Sequence, residues 1–329
     1  MADVIVVKDL MKKYGSLTAV NGVSFGVGHG EIFGLLGPNG AGKSTTISML
    51  CSIIKPTSGT AIINGYDVCR HPAHVRKSIG IVFQDPSVDD RLTGRENLRV
   101  HAYLYGVPKA ERKTQIDNAL ALVELQDRAD DLVRHYSGGM RRRLEIARAL
   151  IHYPKVLFLD EPTVGLDPQS REHIWTFIRK LMEFEDITII LSTHYLEEAD
   201  RFCDRVAIID HGDIVALDTP QHLKDELGGD TIVARTRDND RFYRLIKESG
   251  LVKSAVRVGE DVKMTVDDAH KVLPRITELA AKQDIYIETI SLQQPQLDDV
   301  FLHYTGRELR ESGERERYGM EAAMRRQVR

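Results

Sequence analysis

Several things are scarce in this sequence, and each scarcity removes a class of protein. No apolar run in the 329 residues approaches the roughly 20 needed to cross a bilayer, so no membrane span is legible. Basic residues are not in surplus. Lys and Arg number 45 against 49 Asp and Glu, a formal net charge of −4, which argues against a nucleic-acid partner. The three cysteines, Cys51, Cys69 and Cys203, are too widely spaced for a metal pattern and read as reduced side chains of a cytosolic protein. The opening MADVIVVKDLMKKYG carries an acid near its start and lacks a signal-peptide layout. Internal repeats and Ser/Gly linkers are also missing. What remains, 42% hydrophobic with mixed charge, is the composition of an ordinary soluble globular chain of about two domains.

Against that background, four apolar runs stand out because each ends in a glycine loop or a polar residue. EIFGLLG leads into PNGAGKSTT, SIGIVFQ ends at Gln84, VLFLDE ends at Asp160 and Glu161, and ITIILSTH ends at His194. Runs this apolar and β-branched predict central strands buried on both faces, as in a parallel α/β sheet. KSTTISMLCSII and REHIWTFIRKLMEF supply helical patterns between them. Open α/β sheets bind ligands beyond the carboxyl ends of their strands, so the polar residues are expected at one edge. Between Gln84 and Asp160 the pattern is helical, and an insertion is expected over about 86–152.

The stretch GPNGAGKST, Gly37, Pro38, Asn39, Gly40, Ala41, Gly42, Lys43, Ser44 and Thr45, fits the phosphate-loop spacing G-x-x-x-x-G-K-[ST], with a strand before it and a helix after it. There the glycines turn backbone N–H groups toward phosphates, Lys43 bridges the β- and γ-phosphates, and Ser44 offers a hydroxyl to Mg²⁺. Asp160 is suited to the Mg²⁺ shell and Glu161 to activating water, although two acids after a strand also serve as caps. His194 is placed to donate to the γ-phosphate. Gln84 is placed to reach Mg²⁺ or the attacking water. Tyr14 either stacks on a base or packs.

YSGGMRRRLEIARAL opens a further question. Met140, Leu144, Ala147 and Ile151 fall on one helical face, and Arg141 and Glu145 are expected to pair at i,i+4 on the outer side. Ser137 is either a plain N-cap or, with Gly138 and Gly139, an anion site at the positive end of a helix.

Taken together, these motifs closely resemble the nucleotide-binding subunit of ABC transporters, from residue 3 to about 225. Tyr14 matches the aromatic adenine platform, GPNGAGKST the Walker A loop, Gln84 the Q-loop, YSGGM the signature and VLFLDE the Walker B strand. GLD, ending at Asp167, matches the D-loop, and His194 the switch histidine. Tyr136 and Met140 stand where Leu and Gln are commoner, a mark of the drug-exporter branch that also includes the daunorubicin-resistance and sodium-export groups. The resemblance implies a P-loop ABC ATPase core that binds ATP and Mg²⁺. It implies a dimer in which Ser137, Gly138 and Gly139 grip the partner's ATP, and a separate integral membrane permease on whose cytoplasmic face the subunit sits. A soluble ABC-type ATPase acting on DNA or ribosomes is disfavoured, since there is one nucleotide-binding unit, no long coiled coil and no basic surplus. A regulatory ATP sensor is disfavoured by the presence of both Glu161 and His194. The cargo is not written in these motifs.

The nucleotide-binding unit is expected to span 1–229. TIVARTR, NDRFYRLIKESG, the hairpin VKSAVRV-GED-VKMTV, AHKVLPRITELAAK and DIYIETISL then give the order β-α-β-β-α-β, a small ferredoxin-like α+β domain over 230–305 without catalytic clusters. Residues 306–329, dense in Arg and Glu, are expected to form a partly disordered charged tail.

Overall fold

The computed structural model describes residues 3–184, 187–293 and 295–306. The expected charged tail beyond residue 306 lies outside the described residues. The chain divides into two compact units between Leu217 and Asp218.

In the first unit, Ile79–Val82, Val156–Asp160, Thr188–Thr193, Ile32–Leu36 and Arg205–Asp210 lie side by side as parallel strands, with Asp213–Asp218 beyond the last. Every residue of Ile32–Leu36, Val156–Asp160 and Thr188–Thr193 is buried, which is why these stretches are unbroken apolar runs rather than alternating ones. Helix Lys43–Leu50 follows the first of these strands, and helix Pro168–Phe184 lies between two others. On the latter helix Trp175 stacks on Phe202, with ring centroids 4.2 Å apart.

A second sheet was not legible in the sequence. Its order is Leu17–Val27, Ile5–Tyr14, Ser58–Ile63 and Tyr66–Asp67, antiparallel throughout. Register shifts interrupt its pairing, and Asp9 lies in the left-handed region at φ 49°, so the alternation that marks a strand breaks midway. Val7, Phe25 and Ile63 from this sheet share one core with Phe33, Leu35 and Phe158 of the parallel sheet.

Between Val82 and Val156 the unit is helical: Gly94–Leu104, Arg112–Leu122 and Gly138–Leu150, with a single bridge, Thr93 to Leu132, among the described residues. The first of these helices starts at a reciprocal cap. Thr93 Oγ1 accepts from the Glu96 N–H, and the Glu96 carboxylate accepts from the Thr93 N–H.

The second unit has the antiparallel strand order Ser254–Val258, Asp261–Val266, Asp230–Thr236, Ile287–Gln293. Helices Asn239–Glu248 and Ala269–Lys282, capped by Asp238 and Asp268, complete a ferredoxin-like β-α-β-β-α-β unit. Phe242, Ile246 and Ile276 pack on Ile232, Val262 and Met264 to form its core. The division falls one short helix earlier than the boundary expected after residue 229. Helix Pro220–Asp225, capped by Thr219, packs with the last helix, Leu297–Thr305, through contacts that include Tyr304 Oη donating to Glu226. Gly229, at φ 104°, is instead a tight approach. A Cβ there would fall 2.1 Å from the Val266 carbonyl oxygen, so this glycine turns the chain into strand Asp230–Thr236. Among the described residues no helix is long and apolar enough to cross a membrane.

Candidate active site

The phosphate-loop stretch leaves strand Ile32–Leu36 through a space that admits no side chain. A Cβ on Gly37 would lie 2.2 Å from the Ile209 carbonyl oxygen, and Gly37 N–H donates to Thr193 O at 3.3 Å. Gly42 has φ 110°, and a Cβ there would meet the Ala19 carbonyl oxygen at 2.5 Å. Pro38 is half-buried and Ala41 buried, while Asn39 and Gly40 reach solvent. Lys43 is buried and folds back over its own loop. Its Nζ donates to Gly37 O at 2.7 Å and Pro38 O at 3.1 Å, and lies 3.5 Å from Glu161 Oε1. Burial lowers the Lys43 pKa, against the opposing pull of Glu161 and Asp160. Exposed Ser44 donates to Asp160 Oδ1 at 3.1 Å, and Thr45 is half-buried in the same helical turn.

Strand Val156–Asp160 delivers the two acids to the same place. Asp160 Oδ1 also accepts from Ser192 Oγ at 2.5 Å. Glu161 sits at φ 46°, a left-handed conformation that costs a residue with a side chain on the order of 1–3 kcal/mol. Its N–H donates to Ser192 Oγ at 3.0 Å, and its carbonyl accepts from Arg142 at 3.1 Å, so neighbours hold the peptide from both sides. Glu161 Oε1 is 3.2 Å from His194 Nδ1. Burial pushes the Glu161 pKa up, but His194 and Lys43 more than offset this and hold it below the usual carboxylate range. An ionised carboxylate accepts only, so a hydrogen bond between the two requires the Nδ1–H form of the His194 ring. Lys43, Ser44, Asp160, Glu161 and His194 therefore form one connected cluster at the carboxyl ends of three parallel strands.

Tyr14, Gln84, Ser137 and Asp167 are exposed, and among the described residues none hydrogen-bonds to that cluster. Tyr14 ends strand Ile5–Tyr14, and its ring lies under the Lys12 ammonium at 5.0 Å. Gln84 follows strand Ile79–Val82. Ser137 caps helix Gly138–Leu150, its Oγ accepting from Met140 N–H at 3.2 Å. Gly139 packs closely on Ser170: a Cβ there would lie 2.8 Å from Ser170 Oγ and 3.1 Å from its Cβ. Ser170 N–H in turn donates to Asp167 Oδ1 at 2.9 Å, so the YSGGM and GLD stretches lie against each other.

Two family matches cover most of the chain. Residues 20–164 match the family described as ABC transporter, and residues 219–305 match the C-terminal domain of DrrA1-3-like ATP-binding proteins. The linearmycin resistance ATP-binding protein LnrL of Bacillus subtilis is 40% identical over 308 residues, covering 92% of this chain and 99% of that protein. The daunorubicin/doxorubicin resistance ATP-binding protein DrrA of Streptomyces peucetius is 41% identical over 303 residues, covering 90% of this chain and 91% of that one. This chain belongs to the ABC transporter ATP-binding proteins. The dimeric ATP-binding cassette MJ0796, solved in a post-hydrolysis state with ADP and Pi, aligns with a TM-score of 0.59 at 28% identity, covering 65% of this chain and 98% of that one. The protein is an ATP-binding, ATP-hydrolysing subunit of an ABC transporter of the drug-exporter branch.

Within this ABC subunit the structure corrects one expectation and adds residues the sequence did not reveal. Glu145 does not pair with Arg141 on an outer face. It is buried, 2% exposed, and pairs with Arg142 at 3.0 Å, while Arg141 donates to the Arg134 carbonyl. A helix carrying Arg-Arg-Arg followed by Glu looks solvated, and the i,i+3 and i,i+4 partners cannot be told apart without knowing which side faces the core. Ser192 and Glu198 were also missed. Ser192 bridges Asp160 and Glu161, and Glu198 accepts from Thr163 Oγ1 at 2.7 Å and Thr193 Oγ1 at 3.1 Å, tying two strand ends together. Only the Ser within ILSTH, directly after the apolar Ile189–Leu191, hinted at the first. Tyr136 uses its hydroxyl, which the commoner Leu lacks, to donate to the Arg128 carbonyl at 2.6 Å.

Proposed function

We propose that this subunit closes with a second copy of itself around two ATP molecules and energises a separate membrane permease that exports a drug, a lipid or another hydrophobic or ionic cargo. The observation that carries the reading is the separation of two phosphate-directed features. One is the Lys43–Glu161 cluster. The other is the Ser137–Gly138–Gly139 stretch, its first two residues exposed and Gly139 half-buried, at the positive end of a 13-residue helix. The second, which makes no hydrogen bond to the first among the described residues, would serve a nucleotide held by a partner, as in a dimer whose sites are shared. Asp167, lying against the signature, belongs to the same contact.

The ATP phosphates rest on the loop Gly37–Thr45, with Lys43 leaving its carbonyl partners for them. Ser44 and Asp160, already joined, offer the hard oxygen donors that suit Mg²⁺, and Gln84 supplies another from its strand end. When bound, the ion neutralises phosphate charge. Glu161, held ionised, accepts a proton from the attacking water, and His194 steadies that carboxylate and faces the γ-phosphate. Tyr14, half-exposed at its strand end, provides a face for the adenine.

Val100, Tyr103 and Leu104 of helix Gly94–Leu104 are 50%, 68% and 71% exposed, an apolar patch suited to the permease and hence to residence at the inner membrane face. Resistance and export names among the relatives support an export direction. The C-terminal unit would serve dimer contact or regulation.

Mixing two inactive variants tests the shared site. Ser137→Arg fills the space of the partner's γ-phosphate, and Lys43→Ala disables the loop. In a heterodimer one site carries both lesions and the other carries neither. Partial recovery of ATPase activity on mixing is expected, provided one site can fire alone, and Ser137→Arg that hydrolyses ATP normally by itself would refute the reading.

A further inference from the structure

Arg142 is buried beneath the site, and the Glu161 carbonyl is one of several groups it holds. A guanidinium has five N–H donors, and all five are used. Nε donates to Pro162 O at 2.8 Å, Nη1 to Phe83 O at 2.5 Å and Glu145 Oε2 at 3.0 Å, and Nη2 to Asp160 O at 3.0 Å and Glu161 O at 3.1 Å. Its partner Glu145 accepts the Ser87 N–H at 2.7 Å. One ion pair on the signature helix thus holds the backbone on both sides of Gln84, at residues 83 and 87, together with the peptide of Glu161. The Glu161 peptide is the strained one at φ 46°, secured on its N–H side by Ser192 and on its carbonyl side by Arg142. Only Met140 and Arg141 separate Arg142 from the Ser137–Gly139 stretch.

We propose that Arg142 is a positioning residue that couples the two ATP sites of the dimer. The signature helix grips the ATP bound by the partner, and through Arg142 the same helix fixes the Glu161 that acts on this subunit's own ATP. Engagement at one site therefore sets the carboxylate at the other. The inference rests on the shared-site reading above. A planar five-donor fork reaches four carbonyls and a carboxylate at once, which a single ammonium cannot do.

Two variants test it. Arg142→Lys keeps the charge and loses the fork. The double variant Arg142→Gln/Glu145→Gln removes both charges together, so neither is left buried and unpaired. Steady-state hydrolysis is measured against ATP concentration. ATP-dependent dimerisation is measured separately by light scattering, with each change placed in a Glu161→Gln background. The expected result is retained dimerisation, KM within about threefold, kcat lower by about 10–100-fold, and a Hill coefficient falling from its wild-type value toward about 1. A wild-type Hill coefficient of about 1 would overturn the proposal, as would variants that keep the wild-type kcat, or that lose kcat with the Hill coefficient unchanged. A double variant unable to fold would assign the pair to stability alone and overturn it too. Failure of Glu161→Gln by itself to dimerise on ATP would remove the shared-site reading first, a result visible without any Arg142 variant.

Discussion

The two units of this chain treat buried polar side chains in opposite ways. In the first, Lys43, Asp160, Glu161, Ser192 and His194 are buried together where parallel strands end, and Arg142 and Glu145 lie buried behind them. In the second, Thr236 is the one buried polar side chain among the described residues, and it is satisfied locally by Asn239 at 2.9 Å. Burying charge is costly unless partners surround it, so a fold retains such a group mainly where a task needs it. The contrast locates chemistry in the first unit and leaves the second as a packed scaffold.

The sharpest way to break this comparison is to remove one carboxylate. Glu161→Gln should keep ATP binding and lose hydrolysis by roughly two to four orders of magnitude, with an ATP-bound dimer accumulating. Purified variant turning over at the wild-type rate would end the assignment of Glu161 as the base.

A large change in the second unit should do the converse. Phe242 is fully buried there, and Phe242→Ala should destabilise that unit by about 3–5 kcal/mol. Nucleotide affinity, measured by titration with a fluorescent ATP analogue below the unfolding temperature, should stay within about twofold. An affinity loss in step with unfolding of the second unit would show that the division of labour is wrong.

A third, smaller effect concerns acid. In the helical insertion, burial, with Arg148 and His152 nearby, lowers the His101 pKa from 6.5 to about 4. The unfolded chain therefore takes up a proton on His101 between those values while the folded chain does not. The stability that neutral His101 contributes is complete above about pH 6.5 and is lost as pH falls toward 4, a change of order 1–3 kcal/mol. Thermal midpoints between pH 7.5 and 4.5 should fall less steeply in His101→Gln than in the wild type; identical slopes would contradict the burial.

The smallest expected effect is that of removing the second unit altogether. A chain ending at Leu217, where the structure divides, should retain the ATP affinity of the full chain. Equilibrium dialysis that finds no binding by a folded truncated protein would count against it.

Much of the first unit was legible because its strands are buried on both faces and each ends in a residue of another kind. Gly37, Gln84 and Asp160 announce themselves by following unbroken apolar runs, and His194 by closing a largely apolar strand. The antiparallel sheet was not legible, because bulges such as that at Asp9 disrupt the alternation that would have marked it. Glu145 was misjudged, and Arg142 not singled out, for a different reason. A charged side chain on a helix is ordinarily solvated, and nothing in the order of residues says that this helix turns two of its charges inward. The boundary expected after residue 229 falls instead between Leu217 and Asp218, and Gly229 is a steric necessity against Val266.

The chain's single tryptophan gives this division an optical handle. Trp175 is buried against Phe202 in the first unit, and the second unit has none. Its emission should shift to the red only when the helix after Asp167 loosens, whatever the second unit is doing. Comparing that emission with far-ultraviolet dichroism, which senses both units, would resolve two melting events in one unlabelled sample.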